Sequence, residues 1–521
     1  MAEDVPSVLE GKRFTVILLL SQAIMILLFG MFVDYAPGES KPLSNTSLNA
    51  PDAAQNTVET FYPMWMDVHG MMFIGFGFLM AFLARYGYSS IGLNFLVGSF
   101  VLQWATLVLG FFHMEGEYTT NIQLTITNML TADFAAAAVM ITFGAVLGKV
   151  SALQLLVIAF FEILIFATNE MIGVEHFKAV DIGGSMFVHT FGAYFGLALS
   201  RVLASKTREA RHGGQETKEG AIYHSDLFAM IGTIILWIYW PSFNAALGSG
   251  DQRHRAVINT YYALAACATT TFAISSLFSK DGRFDMVHVQ NATLAGGVAV
   301  GASADFLIEP WGAMFLGVFA AVLSVLGYTF LQPYLQKYWH IHDTCGVHNL
   351  HGMPGILGGL GGIVATATLS TSKYGNSLYQ VYPAMAPEEA NDAELLRLTS
   401  LGYTYETGDG RSSSTQSLYQ LATLAVTICM ALAGGTLTGY IVRLQFFQPV
   451  NDRNSTLFED ALHWEVNDMD LKEIVEIPMP AAGMEDGASS GSTEQLHQRA
   501  AATATVIARS GHSSPVNDQS V

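Results

Sequence analysis

The feature that most restricts this chain is a series of apolar runs, nearly free of charge, each long enough to cross a lipid bilayer. A helix rising about 1.5 Å per residue needs about 20 apolar residues to span a hydrocarbon core of about 30 Å. Backbone polar groups find no partner in lipid, so a run of this kind must be helical. A window of about 19 residues finds twelve of them, at 14–33, 66–84, 91–112, 125–147, 151–168, 182–203, 226–247, 257–278, 289–305, 311–330, 347–368 and 416–442. The reading is an all-α polytopic membrane protein. Composition agrees, with 13% charged residues against about 25% in a soluble domain. Asp and Glu number 43 against 24 Lys and Arg, and the resulting charge of −19 argues against a nucleic-acid partner. The three cysteines, Cys267, Cys345 and Cys429, lie in or beside apolar runs, so no disulfide framework and no thiolate metal site is predicted.

Basic residues set the orientation. With the N-terminus in the cytoplasm, 17 of the 24 Lys and Arg residues fall in cytoplasmic segments and 7 in external ones. Both termini are therefore expected inside. The first run is longer than the about 7–15 residues of a signal-peptide core and no small-residue cleavage site follows, so it is kept as a span. The polar stretch 34–65 is external and contains Asn45-Thr-Ser47, which makes Asn45 the candidate glycosylation site. Asn454-Ser-Thr456 has the same pattern but is cytoplasmic and should be silent. A second external loop, 369–415, is long and polar. Residues 1–443 form the membrane domain. Residues 444–480 mix Phe446, Phe447, Phe458 and Trp464 with acidic residues and suit docking on the cytoplasmic face. The Ala-, Ser-, Gly- and Thr-rich remainder, 481–521, is expected to be disordered.

Ionisable groups inside spans are costly and mark pathways. Those singled out are Asp133, Asp181, His189, Asp343, His348 and His351. Two segments repeat one pattern, an aspartate eight residues before a histidine: Asp181 to His189 and Asp343 to His351. They open spans six and eleven, which run in opposite directions. Eight residues of helix advance about 12 Å, so both histidines approach the midplane, each from its own face. That is the pattern of an inverted repeat of five plus five helices, spans two to six and seven to eleven, with a site between the halves. Two neutral imidazoles can share a proton and offer a polar step in an apolar pore. A zinc site would need further ligands, and none is predicted at that depth. Asp181 and Asp343 suit helix caps, with a pathway role besides, while Asp133 and His348 suit structural hydrogen bonds. Phe134 and Phe243 fall in the external halves of spans four and seven, and Pro241 is expected to break the latter helix. No nucleophile–base constellation and no cofactor motif is present, so neither catalytic residues nor cofactors are predicted.

These residues sit in longer motifs. Asp-x-Gly-Gly-Ser-x-x-x-His-Thr-Phe-Gly-Ala-Tyr-Phe-Gly at 181–196 and His-Asp-Thr-Cys-Gly-Val-His-Asn-Leu-His-Gly at 342–352 resemble the Rh glycoproteins of the ammonium transporter/Rh superfamily. Asp67-Val-His-Gly-Met-Met72, Ala167-Thr-Asn-Glu170 and Val287-His-Val-Gln-Asn-Ala-Thr-Leu-Ala-Gly-Gly297 extend the likeness. The resemblance implies a homotrimer in the plasma membrane, with one narrow pore per twelve-helix protomer. It makes His189 and His351 the twin histidines, Phe134 and Phe243 a stacked gate, Asp181 the aspartate of ammonium recognition, and Glu170 an acidic vestibule residue. It implies recruitment and deprotonation of ammonium and conduction of neutral ammonia, with methylammonium and carbon dioxide as further substrates. A proton-coupled transporter and a non-conducting scaffold or ammonium sensor stand as alternatives.

Overall fold

The computed structural model describes residues 12–36, 58–113, 121–212, 219–369, 371–447, 450 and 457–466. Asn45, Asn454 and residues 481–521 lie outside the described residues. Among the described residues eleven helices are long and apolar enough to cross a membrane. They are Arg13–Phe32, Val58–Phe82, Gly87–Phe112, Ile126–Val146, Ala152–His176, Ser185–Ala204, Tyr223–Ala245, Gly250–Phe278, Glu309–Trp339, His348–Ala367 and Ser413–Val442. The ninth predicted span is not one regular helix. It runs as Met286–Asn291, Ala292–Leu294, Ala295–Val300 and Gly301–Ser303, alternating α and 3-10 turns. Side chains take up the backbone groups released there. Cys267 of span eight bonds to the Ala292 carbonyl at 3.0 Å and accepts the Gly296 amide at 3.1 Å. The twelve crossings thus include one too irregular for a test of continuous helix length.

Glycine and alanine bring the spans close. A Cβ at Gly192 would lie 2.5 Å from the Ala138 carbonyl, and one at Gly317 would lie 2.1 Å from that of Ala263. Spans four and six, and likewise eight and ten, therefore meet backbone to backbone. This is the packing expected where lipid supplies no hydrophobic drive. Some helix starts are capped by side chains. Thr125 and Asn128 cap each other at span four, as do Ser151 and Gln154 at span five. Pro241 does not break span seven; Tyr223–Ala245 continues through it.

Span one is mostly exposed, with Met25 its buried residue. Gln22 and Gln103 exchange amide bonds of 2.7 and 3.3 Å and tie it to span three. Beyond it, Val33–Tyr35 pairs in parallel with Ile122–Leu124. This ribbon was not expected, since three-residue strands are too short to show a period. The 369–415 loop is also more ordered than its polarity suggested. Helical turns at Leu378–Val381 and Pro383–Met385 pack Leu378, Val381, Tyr382 and Met385 against Phe306. On the face from which span one starts (the N-terminal face), Asp460 accepts the Tyr88 and Ser89 amides at 3.0 and 2.7 Å, capping span three from afar. Phe458 donates its amide to the Gly148 carbonyl, and Arg85 pairs with Glu459 at 3.2 Å.

Candidate functional site

The two Asp-x7-His segments fold alike. Asp181 Oδ2 accepts the Met186 and Phe187 amides at 2.8 and 2.9 Å. Asp343 accepts the Val347 and His348 amides at 3.0 and 2.9 Å. Three residues after each aspartate stands a glycine in the left-handed region, Gly184 at φ 65° and Gly346 at φ 72°. A side chain there would strain the turn. Wide π-type turns follow, Ser185–Thr190 and His348–Gly352, and they carry His189 and His351. Such turns are rare and concentrate at functional sites. Span eleven can approach span six because it has no side chains at the crossing. A Cβ at Gly355 would lie 2.5 Å from Thr190 Oγ1, and one at Gly358 would lie 2.6 Å from Ser185 Oγ.

This crossing brings the histidines together. His189 and His351 are 1% and 3% exposed, with Nδ1 atoms 3.2 Å apart and ring planes 17° from parallel. One Nδ1 must donate and the other accept, so the pair holds one proton between them. Aromatic rings extend the column both ways. Phe243 and Trp240 each pack 5.6 Å from His189, and Phe76 packs 6.2 Å from His351. Phe134 meets Phe243 at 4.6 Å between centroids. The planes cross at 59°, so the expected stack is a tilted contact. Ring quadrupoles favour offset or edge-on arrangements over face-to-face ones.

One cavity meets this column at its Phe134 and Phe243 end. On the face opposite the N-terminal one, a space of about 720 Å³ is lined by Phe134, Phe243, Asp181, Glu170, Glu175 and Gln380 among others. The 369–415 loop, in which no functional signal was read, therefore forms part of its wall. Glu170 faces His113 across 3.3 Å, and Glu175 faces the same ring across 3.5 Å. The Glu170 hydrogen bond, with both carboxylates adding attraction, raises the His113 pKa above the usual imidazole value. On the N-terminal face a second space, about 780 Å³, is lined by Tyr194, Arg201, His348 and Arg443 among others. Asp133 is bonded to His69 at 3.0 and 3.2 Å and is buried, which is a structural setting. His348 lies 3.4 Å from the Tyr194 hydroxyl. Among the described residues no group of three or more His, Cys, Asp or Glu side chains is arranged to hold a metal ion.

Sequence reasoning missed several members. Trp240 and Phe76 look like any other membrane aromatic, and only the fold puts them against the histidines. His113 flanks a span and carries no motif, and His69 lies in span two inside the quoted 67–72 stretch but was given no role there. Outside the column, Glu162 was legible too, being an acid in the middle of the apolar run Phe160-Phe-Glu-Ile-Leu-Ile-Phe166, and was passed over.

Comparison with known proteins identifies the family. Residues 45–451 match the model of the Ammonium Transporter Family. The chain is 46% identical over 456 residues to ammonium transporter Rh type B of Danio rerio, covering 87% of this chain and 93% of that one. It is 45% identical over 458 residues to ammonium transporter Rh type C of Homo sapiens, covering 87% and 90%. Among solved structures, Nitrosomonas europaea Rh50 superposes with a TM-score of 0.61 at 26% identity, over 87% of this chain and 98% of that one. Mep2 of Saccharomyces cerevisiae, at 16% identity and a TM-score of 0.58 over 83% and 98%, shares the fold. By sequence and by architecture, this chain belongs to the Ammonium Transporter Family and to its Rh-type members.

Proposed function

We propose that this protein is a membrane channel that takes up ammonium and conducts neutral ammonia. One observation carries the reading: two buried imidazoles 3.2 Å apart, in an aromatic column that meets a cavity at Phe134 and Phe243. In this reading Glu170 and Asp181 give the external cavity its negative character and concentrate ammonium there. Phe134 and Phe243 close the entrance against hydrated ions. A bare cation in the middle of the bilayer is costly, whereas a neutral molecule with one lone pair and three N–H groups is not. Potassium cannot shed a proton and stops at the rings. Past the gate, His189 and His351 offer nitrogens as successive partners, and among the described residues Nε2 of His189 has no hydrogen-bond partner. Asp343 holds the mirrored turn on the cytoplasmic side.

The same reading makes the protein a homotrimer in the plasma membrane with both termini inside, Asn45 glycosylated, and methylammonium and carbon dioxide as further substrates. It takes the described residues 457–466 as a cytoplasmic segment seated on the channel. Stopped-flow ammonia entry into proteoliposomes tests it. Conduction should be fast, indifferent to membrane voltage and closed to potassium. Voltage-driven uptake would favour the proton-coupled alternative, and no flux above empty liposomes would favour a scaffold or sensor.

A further inference from the structure

Glu162 takes no part in the pathway as described, yet it is an acid in the middle of a membrane. It is the eleventh residue of the 20-residue helix Ala152–Met171 and is 0% exposed. Its Oε1 lies 2.7 Å from Thr142 Oγ1 of span four, and among the described residues its Oε2 has no hydrogen-bond partner. Thr142 Oγ1 lies also 2.9 Å from the Gly192 carbonyl, one turn beyond His189 in span six. Donors and acceptors can be counted. The hydroxyl has one proton, the carbonyl is only an acceptor, and an ionised carboxylate is only an acceptor. Were Glu162 ionised, one proton would serve two acceptors and a full charge would stand with half a partner at the bilayer centre. Were it protonated, Oε1–H donates to Thr142 Oγ1, and Thr142 Oγ1–H donates to Gly192. Each hydrogen is then used once, and the one unpaired atom is a neutral carbonyl oxygen.

We infer that Glu162 is a protonated carboxylic acid that acts through Thr142 as a positioning residue for the turn bearing His189. It locks spans four, five and six where they lie close together. A Cβ at Gly196 would come within 3.0 Å of the Thr142 Cα, and Phe166 of span five packs edge-on to Phe191 at 5.6 Å. The hydroxyl bond sets the rotation of span six about its axis, and His189 turns with it. The inference rests on His189 being a pathway residue.

The test uses the full chain in proteoliposomes. Infrared difference spectra between wild type and Glu162→Gln should show loss of a protonated-carboxyl C=O band. Thr142→Val, which removes the acceptor, should shift that band. Loss of carboxylate bands instead would overturn the inference. In flux, Glu162→Gln keeps a donor of the same shape and should stay within about twofold of wild type, whereas Thr142→Val should slow ammonia about tenfold. Thr142→Ser, which restores the hydroxyl, should recover the rate even where the valine variant folds poorly. A Glu162→Gln loss as large as that of Thr142→Val would refute the neutral-acid role. If His189→Ala leaves flux unchanged, it is the pathway reading that fails, and the infrared result still decides the state of Glu162.

Discussion

Replacing one histidine of the pair by alanine should slow ammonia strongly, and replacing both should slow it hardly further. The structure sets the scale. The rings share one Nδ1–Nδ1 hydrogen bond of 3.2 Å and are buried in an aromatic column. With one ring gone, ammonia crossing this stretch loses a partner it cannot replace with water. A buried polar group left unpaired costs about 1–3 kcal/mol. Added to the transit barrier, that slows passage about 5- to 150-fold, since 1.36 kcal/mol is about tenfold in rate. The remaining ring has also lost the neighbour that fixes its orientation and tautomer, so it no longer works as a relay. Removing it as well takes away little. Independent sites would instead multiply, giving about 25-fold at the least for the double variant. The assay is stopped-flow alkalinisation of dye-loaded proteoliposomes at matched protein content, for His189→Ala, His351→Ala and the double variant. A double loss equal to the product of the single losses would refute the shared-unit argument, and wild-type rates in both singles would remove the pair from the pathway.

Phe243→Ala opens the contact with Phe134 and should weaken exclusion of larger or charged solutes while folding is unchanged; unaltered flux and selectivity would return Phe243 to packing. Because its carboxylate partners raise the His113 pKa above 6.5, the stabilisation from protonated His113 is complete below about pH 6.5 and is lost as pH rises through the raised value. Glu170→Gln should bring the NMR titration midpoint of His113 down, and an unmoved midpoint would show that the contact does not form. Asp460→Ala removes two amide bonds at the start of span three, a capping loss of about 0.5–2 kcal/mol, and should speed proteolysis within 457–466. Cleavage at the wild-type rate would mean those bonds do not hold the segment. Asn45→Gln should remove a glycan seen as a gel shift in cells, and a glycan on Asn454 would reverse the proposed topology.

What could be read from the sequence follows from which signals are local. The spans were legible because lipid demands about 20 apolar residues in a row, and the inverted repeat because Asp181, His189, Asp343 and His351 keep one spacing. Span nine shows where this fails. Its turns are irregular because Cys267, on another helix, satisfies Ala292 and Gly296, and no window over 289–305 contains Cys267. Trp240 and Phe76 fail for the same reason, since their proximity to the histidines exists only across the helix crossing. The crossing itself was half written in the chain. Glycines stand at 355 and 358, within two turns of His351, but a glycine states only that something comes close, and what comes close is Ser185 and Thr190. That pairing explains why the two histidines need such unusual surroundings. Regular α-helices carrying side chains at these positions could not bring two imidazoles within 3.2 Å at the centre of the membrane. A left-handed glycine, an aspartate folded back on its own turn and a widened turn are needed twice, once from each face. The repeat therefore duplicates the whole approach to the midplane, including the backbone devices that make it sterically feasible, and the histidine pair is the point where the two copies meet.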